Sequence, residues 1–352
     1  MQQLTLKTSQ SETSTIHVGR GLQYEVATFI KQASPSAVVY ITEKYLQASL
    51  VGYLQLNPND VLAIDGGESQ KTLETVSKIL QYLHEKSIDK HALIIGFGGG
   101  VVTDLVGFAA AIYKRGVKAV YIPTTLLAMI DASIGGKNGV DFEDVKNMAG
   151  TIYNPQAVFV DTDFLESLPE AELLSGLGEL AKYAICLDRP LFDLLQEPFA
   201  NHANEAILMG IKDKLKVLAL DPYETTGQRY ILNFGHTLGH ALESASGYKL
   251  KHGLGVAIGC HFASFISQQK GYISQADFEA IVYFLKNLGL PTTSDFDAKT
   301  ILRLMQSDKK QLDRATINFV LIRSIGQGIV EPLSFKEIEK HLLAFKNLAS
   351  SH

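Results

Sequence analysis

The sequence predicts an α/β domain over residues 1–162, followed by a mostly α-helical domain over residues 163–352. In the first part, short apolar runs rich in Val and Ile alternate with helical stretches, which is typical of α/β domains. In the second part, apolar residues recur at helical spacing. The length of 352 residues also fits two domains, since one domain holds roughly 150 residues.

Five apolar runs of the first domain have strand length: Ala37–Ile41, Val61–Ile64, Ala92–Gly96, Ala119–Ile122 and Ala157–Val160. The stretches Thr72–Lys86 and Val102–Lys114 are expected to be helices between them. Because strands buried on both faces read as continuous apolar runs, we expect a mainly parallel sheet covered on both sides.

The second domain contains six segments with the apolar periodicity of helices: Glu170–Leu187, Asn204–Leu220, Tyr230–Ala245, Leu254–Gln269, Gln275–Leu288 and Lys336–Asn347. Only Ala315–Ile322 and Gly328–Val330 read as extended. No repeat or long flexible linker interrupts the sequence, so the two domains are expected to be closely apposed.

Composition excludes several classes of protein. Apolar residues make up 46% of the chain and charged residues 20%, with a net charge of -5 and no long block of one charge sign. These values argue against a disordered chain and against a nucleic-acid-binding protein. The two cysteines, Cys186 and Cys260, show no pairing pattern and fit a reducing compartment, so we expect a cytoplasmic protein.

No apolar signal segment is visible at the N-terminus, and no membrane span is expected. Residues Ala92–Tyr113 have the length and apolarity of a membrane helix, but they contain Asp104 and five glycines. A buried strand, a tight turn and a helix explain this stretch better.

Two glycine-containing turns each follow a predicted strand and precede a predicted helix. They are Asp65–Lys71 and Gly98–Asp104. Glycines let the backbone approach a phosphate, and the N–H groups at a helix N-terminus attract anions. The second turn therefore favours a Rossmann-like, nucleotide-binding first domain, with a plain tight turn as the alternative. For the first turn, helix capping by Ser69 is an equally good interpretation.

A third polar segment follows the strand Ala119–Ile122. It contains Pro123-Thr124-Thr125, then Asp131, and then the run Ser133–Asn138, with Lys146-Asn147 further along. Ligands of open α/β sheets bind at the carboxyl ends of strands, so this segment fits a polyol or phosphate site. An ordinary polar loop is the alternative for each residue taken singly.

The histidine pattern in the second domain favours a metal site. His236 and His240 are four residues apart, so on a helix they share one face. His252 follows at another predicted helix start, and Glu179 lies one turn before Lys182 on an upstream helix. Two imidazoles on one face form a common half-site for zinc, whereas the HExxH metalloprotease motif is absent.

Cationic residues flank these motifs and could together hold a small substrate with several negative charges. They are Arg115, Lys137, Lys146, Lys214, Arg229, Lys309 and Lys310.

Several of these segments together resemble the 3-dehydroquinate synthase family. The matching runs are GGGVVTDLVGFAAA, YKRGV, IPTTLLAMIDASIGGKNGV, KNMAG, SGLGELAKYA, LNFGHTLGHALE, the HG pair at His252, and MQSDKK. Their order and spacing fit over nearly the whole chain. Each run is weak alone, but the joint match is highly specific.

The resemblance implies a lyase that converts 3-deoxy-D-arabino-heptulosonate 7-phosphate to 3-dehydroquinate and phosphate in the shikimate route to aromatic amino acids. It implies catalytic use of NAD and a divalent metal ion, Zn²⁺ or Co²⁺. The substrate would be transiently oxidised, lose phosphate, be reduced again and close its ring by an aldol step.

The resemblance also implies roles for individual residues. The metal ligands would be Glu179, His236 and His252, and His240 would be catalytic. The NAD contacts would be Gly66, Gly67, Glu68, Ser69, Gln70, Lys71, Gly100, Val101, Val102, Thr103, Asp104, Thr124, Thr125, Lys137, Lys146, Phe164, Leu165, Glu166 and Ser167. The substrate and catalytic residues would be Asp131, Asn147, Lys182, Lys214, Arg229, Asn233, His240, Lys309, Lys310 and Arg115. Arg115 would reach the site of a neighbouring subunit, which implies a homodimer.

Some residues depart from the family pattern. Thr103 stands where the family usually has Gly, and Leu254-Gly255 replaces a usual Glu-Ala. Lys212 and Lys216 are close rivals for the role given to Lys214. The rival functions are another sugar-phosphate cyclase, a metal-dependent polyol dehydrogenase and a non-catalytic NAD-binding regulator.

Overall fold

The computed structural model describes residues 1–7, 13–143, 145–222, 224–306 and 315–349. The chain divides into two compact units, Met1–Leu168 and Pro169–His352. Residues 163–168 thus belong to the first compact unit, whereas the predicted boundary places them in the second domain. The domain boundary stays a prediction. Lys309 and Lys310 lie outside the described residues.

The first unit is an α/β domain. Its elements, in chain order, are β1 (Gln2–Lys7), β2 (Thr13–Gly19), α1 (Gln23–Ala33), β3 (Val38–Glu43), α2 (Gln47–Leu54), β4 (Val61–Ile64), α3 (Leu73–Glu85), β5 (Leu93–Gly98), α4 (Gly100–Ile112), β6 (Lys118–Pro123), β7 (Lys137–Phe142), β8 (Val145–Ile152) and β9 (Ala157–Asp161). The five predicted strands and both predicted helices are confirmed within a few residues. The strands β1, β2, β7 and β8 were not predicted.

The main sheet has the strand order β1-β2-β9-β6-β5-β3-β4. All neighbouring strands run parallel except β1 and β2, which form an antiparallel hairpin. The central strands β5 and β6 are almost entirely buried, as strands covered on both faces must be. From β3 the chain first proceeds to β4 on one side and then crosses to β5 on the other. The topological switch point, where ligands of such sheets bind, therefore lies between the carboxyl ends of β3 and β5.

The second unit is mostly helical. Its elements are α5 (Glu170–Cys186), α6 (Arg189–Leu194), α7 (Phe199–Leu220), α8 (His236–Ala245), α9 (His252–Gln269), α10 (Gln275–Asn287), α11 (Ala298–Gln306), β10 (Thr316–Ser324), β11 (Gln327–Ser334) and α12 (Phe335–Ala349). The strands β10 and β11 form an antiparallel hairpin. This arrangement confirms the predicted fold class of an α/β domain followed by a mostly helical one.

One predicted helix is wrong. The segment Tyr230–Ala245 is not continuous, because a 3-10 helix covers Gln228–Asn233 and α8 begins only at His236. Gly235 separates the two with a left-handed backbone, φ +78°, which interrupts helical hydrogen bonding. The break places His236 at the first position of α8.

Glycines allow three helices of the second unit to touch through their backbones. A Cβ atom on Gly253 of α9 would lie 1.7 Å from the Ser175 carbonyl oxygen of α5. A Cβ atom on Gly178 would lie 2.0 Å from the Gly253 oxygen, and one on Gly259 would lie 1.8 Å from the Gly235 oxygen. Because no side chain separates α5 from α9, or the start of α8 from α9, residues on these helices are brought unusually close.

Among the described residues, none of the helices is both long and apolar enough to cross a membrane. The apolar stretch Ala92–Tyr113 contains β5 and α4, as predicted.

Candidate functional sites

A buried carboxylate and two histidines converge in the second unit. Glu179 lies on α5 with its side chain fully buried, and its Oε1 is 3.1 Å from Nε2 of His236 and 3.0 Å from Nε2 of His252. Each of these histidines is the first residue of its helix, α8 or α9. The structure thus brings together the three residues that the family resemblance implied as metal ligands.

His240 completes a compact group of three imidazoles. It lies one turn after His236 on α8, and the centroids of their rings are 5.2 Å apart. One ring nitrogen from each of His236, His240 and His252 lies within 4.8 Å of the others, which could hold a metal ion. Imidazole nitrogens with a carboxylate oxygen are ligands that Zn²⁺ and Co²⁺ accept. The donor set therefore fits a divalent metal, with His240 available as a ligand or as a neighbour.

The outer nitrogens of two rings have fixed partners. His236 Nδ1 lies 3.1 Å from the carbonyl oxygen of Phe234, and His252 Nδ1 lies 2.9 Å from Oε1 of Glu243. Carbonyl and carboxylate oxygens only accept hydrogen bonds, so Nδ1–H donates in both rings. Each Nε2 faces Oε1 of Glu179, so it is the nitrogen that would bind a metal ion once its proton is lost.

Charge distribution in this group is uneven. Burial alone would raise the pKa of Glu179, but Lys182, His236 and His252 hold it well below its ordinary value. Burial lowers the pKa of His236. Burial also lowers the pKa of His252. The hydrogen bonds of His252 to Glu179 and Glu243 outweigh this effect and raise its pKa to about 10. Glu179 is thus an anion in a cluster of cationic and neutral nitrogen groups.

Glycine-containing turns line the switch point of the first unit's sheet. Gly98 ends β5, Gly99 precedes α4 and Gly100 begins it. The first N–H groups of a helix have no partner within the helix, so this end of α4 suits an anion. The Thr124 N–H donates to the Gly98 carbonyl at 2.9 Å, which joins the end of β6 to the same turn. These features fit a phosphate-containing nucleotide.

The turn after β4 contacts the end of β3. Gly67, with φ +97°, donates its N–H to Oε1 of Glu43 at 3.1 Å, and Tyr45 donates its hydroxyl to Oε2 of the same carboxylate at 2.7 Å. Glu43 is 3% exposed at the carboxyl end of β3. Its carboxylate therefore holds the predicted nucleotide-binding turn, a contact that the sequence did not predict.

A buried ion pair links two of the implied NAD residues. Lys71 Nζ lies 2.5 Å from Oδ2 of Asp104. Burial lowers the pKa of Lys71, but Asp104 and other acids raise it above its ordinary value. Burial raises the pKa of Asp104 to about 6 despite the nearby Lys71. The pair connects the turn before α3 to the second turn of α4, so two segments of the candidate site are held together.

Family models match most of both units. Residues 61–175 match the model described as 3-dehydroquinate synthase N-terminal, and residues 176–311 match the model described as 3-dehydroquinate synthase C-terminal. The chain belongs to the 3-dehydroquinate synthase family. All four candidate metal-binding residues, from Glu179 to His252, fall within the second match.

Curated relatives named 3-dehydroquinate synthase cover most of the chain. The relative from Saccharolobus solfataricus is 39% identical and covers 78% of this chain and 80% of its own length. The relative from Acidithiobacillus ferrooxidans is 37% identical and covers 90% of both chains. The similarity therefore includes both units rather than a single domain.

Solved structures of two synthases with different names share the fold. A 2-epi-5-epi-valiolone synthase from Streptomyces hygroscopicus, with NAD⁺ and Zn²⁺ bound, is 29% identical with a TM-score of 0.84, covering 94% of this chain and 96% of its own. A 2-deoxy-scyllo-inosose synthase complexed with carbaglucose-6-phosphate, NAD⁺ and Co²⁺ has the same TM-score at 23% identity and covers 97% and 99%. The second likeness concerns the fold alone.

The structure distinguishes Lys214 from Lys212 and Lys216, its rivals for the substrate-binding role that the family resemblance implies. Lys214 of α7 is 5% exposed, whereas Lys212 and Lys216 are exposed, and Lys216 pairs with Asp213 at 2.8 Å. Burial therefore distinguishes Lys214 from its two rivals, and its role in binding the substrate stays a prediction.

Other implied substrate residues of the second unit have well-defined surroundings. The Lys182 ammonium group pairs with Glu179 and lies 4.3 Å from the centre of the Tyr183 ring. Arg229 is 4% exposed and donates from Nη1 to the Pro222 carbonyl at 3.1 Å. Asn233 is half-buried at the end of the 3-10 helix. Lys182 and Arg229 are thus cations held in buried positions.

The implied substrate residues of the first unit are more varied. Asp131 lies on a π-helical turn, Ala128–Ala132. Asn147 is exposed and donates its N–H to Oδ1 of Asp141 at 2.8 Å. Arg115 is exposed beyond the end of α4, with a left-handed backbone at φ +64°. Their substrate roles stay predictions.

The implied NAD segment Phe164–Ser167 lies on a 3-10 helix after β9. The Phe164 ring packs 5.1 Å from Phe97, centre to centre, and Glu166 pairs with Arg20. Asp161, fully buried at the end of β9, accepts hydrogen bonds from the N–H groups of Gly21 and Leu22 and from Tyr53. Sequence reasoning missed Asp161, which anchors the base of this segment.

Two thiols lie in the helices that carry the histidines and Glu179. Cys186 ends α5 and Cys260 lies on α9, and both are free and buried. Burial raises the pKa of Cys186 to about 12 and that of Cys260 well above its ordinary value. Among the described residues, the group of side chains close enough together to hold a metal ion contains neither cysteine.

Proposed function

We propose that this protein converts 3-deoxy-D-arabino-heptulosonate 7-phosphate to 3-dehydroquinate and phosphate, using NAD and a divalent metal ion. The observation that carries the proposal is the identity of 37–39% to relatives named for this activity. Solved cyclases named for other ring products are 23% and 29% identical. The reaction breaks a carbon–oxygen bond to phosphate, which makes the enzyme a lyase.

Glu179, His236 and His252 are the proposed metal ligands. Their support is the 3.0–3.1 Å convergence on one carboxylate oxygen and the fixed Nδ1–H donors of both rings. When bound, NAD would supply reversible hydride transfer and the metal ion would act as a Lewis acid on substrate oxygens. We assign NAD to the glycine turns of the first unit.

The buried cations Lys182, Lys214 and Arg229 would bind and orient the carboxylate and phosphate of the substrate. Their charge is effective because they are shielded from water, where ionic interactions are weak. His240, with its ring beside the proposed ligands, would contact the substrate. We further propose a homodimer that works in the cytoplasm: the family resemblance implies the homodimer, and the two unpaired cysteines fit a reducing compartment.

The deciding experiment follows phosphate release from the heptulosonate phosphate while NADH absorbance is recorded. We expect continuous phosphate release, no net NADH, complete loss with a chelator, and recovery on adding Zn²⁺ or Co²⁺. A seven-carbon ketose phosphate without the carboxylate should react far more slowly. If that ketose reacts faster, the protein is a different cyclase. If NADH accumulates with a simple polyol, it is a dehydrogenase.

A further inference from the structure

Glu243 is a buried acid to which none of the sequence motifs assigned a role. It lies on α8, seven residues and therefore two turns after His236, and it is 3% exposed. Its Oε1 accepts the Nδ1–H of His252 at 2.9 Å, from the opposite side of the ring to Glu179. Its Cγ lies against the position where Gly255 lacks a side chain.

A carboxylate in this position controls how an imidazole binds a metal. It keeps the proton on Nδ1, orients the ring and increases the basicity of Nε2. His236 has only the neutral carbonyl of Phe234 in the same role, at 3.1 Å. The two histidines are therefore supported unequally, and His252 has the stronger support.

We propose that Glu243 is a positioning residue that fixes the tautomer and orientation of His252 and thereby increases the affinity for the divalent metal. The inference rests on the metal ligands of the proposed function. Glu243 acts through His252 and is not itself a ligand in this proposal. Because it lies on α8 while His252 lies on α9, it also couples the two histidine-bearing helices.

The test compares Glu243→Gln and Glu243→Ala with the wild type. Zn²⁺ affinity is measured by competition with a chromophoric chelator, and the Co²⁺-loaded proteins are compared by visible absorption. We expect Glu243→Ala to lose affinity by about 10–100-fold and to change the Co²⁺ spectrum. Glu243→Gln keeps a hydrogen-bond acceptor without the charge, so its Zn²⁺ affinity should lie between those of the wild type and of Glu243→Ala.

The matched control is Glu172→Gln. Glu172 pairs at 2.5 Å with Lys251, the residue before His252, and both side chains are partly exposed. Its Zn²⁺ affinity should stay within about twofold of the wild type, since exposed ion pairs contribute little.

Wild-type affinity in both Glu243 variants would overturn the inference. If Glu243→Ala does not fold, as judged by circular dichroism, the Gln variant decides: weaker binding supports the inference and unchanged binding overturns it. A wild-type protein that binds no metal would instead refute the ligand set of the proposed function. The two failures are therefore distinguishable.

Discussion

The candidate nucleotide site and the candidate metal site are built from different parts of the polypeptide. In the first unit, the groups proposed to bind the ligand are backbone N–H donors at the glycine turn before α4. In the second unit, they are the buried side chains of Glu179, His236 and His252. Both candidate sites depend on glycine. In the first unit glycine leaves the backbone accessible, and in the second unit it lets helices pack closely together.

This difference predicts how each site responds to substitution. A site made of backbone groups depends on the shape of the turn and tolerates changes in nearby side chains. A site made of side chains depends on residue identity and on the distance between helices. Four predictions examine this contrast, beginning with the largest expected effect.

Replacing His236 by Ala should remove the metal and reduce phosphate release at least about a thousandfold, because the remaining ligands cannot hold the ion in a productive geometry. Metal content by atomic absorption and the coupled phosphate assay measure both effects. The exposed His84, replaced by Ala, is the control and should retain metal and activity. Unchanged metal content in the His236 variant would show that the ligand assignment is wrong.

Replacing Gly253 by Ala should destabilise the protein by about 3 kcal/mol or more and weaken metal binding. The new Cβ would lie 1.7 Å from the Ser175 oxygen, so α5 and α9 must separate. Urea denaturation measures the stability change. Gly52 of α2 has open space around its Cβ position, and Gly52→Ala should instead stabilise the protein by about 0.5–1 kcal/mol. Equal stability changes in the two variants would contradict this account of helix packing.

Replacing Gly100 by Leu should weaken NAD binding about 100-fold, because a bulky side chain at the start of α4 blocks approach to the backbone donors. Isothermal titration calorimetry with NAD checks this prediction. The smaller Gly100→Ala change, whose Cβ would lie 3.3 Å from Cβ of Ala132, should have a weaker effect. Wild-type affinity in the Leu variant would place NAD elsewhere.

The smallest effect is expected for Thr103→Ala. The Thr103 hydroxyl donates to the Gly100 carbonyl at 3.0 Å, so its polar group is used within its own helix. Loss of this bond should cost about 1 kcal/mol of stability and change NAD affinity less than twofold. A tenfold change in NAD affinity would mean that the hydroxyl contacts the nucleotide directly. The nucleotide site would then use a side chain as well as backbone groups.

The sequence was most informative about buried, continuous segments. The run Ala157–Val160 predicted β9 to within one residue, because a strand buried on both faces leaves a purely apolar pattern. The antiparallel strands β7 and β8 were not predicted, because their sequences contain glycines, charged residues and exposed apolar residues rather than a regular apolar pattern. The apolar periodicity also predicted a single helix over Tyr230–Ala245, because periodicity carries no information about the backbone conformation of Gly235.

The candidate metal site shows the same limit. The spacing of His236 and His240 predicted a shared helical face, but the approach of Glu179 and His252 depends on contacts between helices that are distant in sequence. Glu243 carried one local signal, its position two turns after His236, which alone is too common to interpret. The roles of Glu43 and Asp161 likewise depend on which strands are neighbours in the sheet.

The buried cysteines have a consequence for the chemical durability of the enzyme. Cys260 approaches the same Phe234 carbonyl that fixes His236, with Sγ 4.0 Å away, so modification at this thiol would disturb the histidine. Because burial raises the pKa of the Cys260 thiol and closes it to solvent, we expect it to react slowly with peroxides and alkylating reagents. The protein should therefore keep its activity in air without an added reductant.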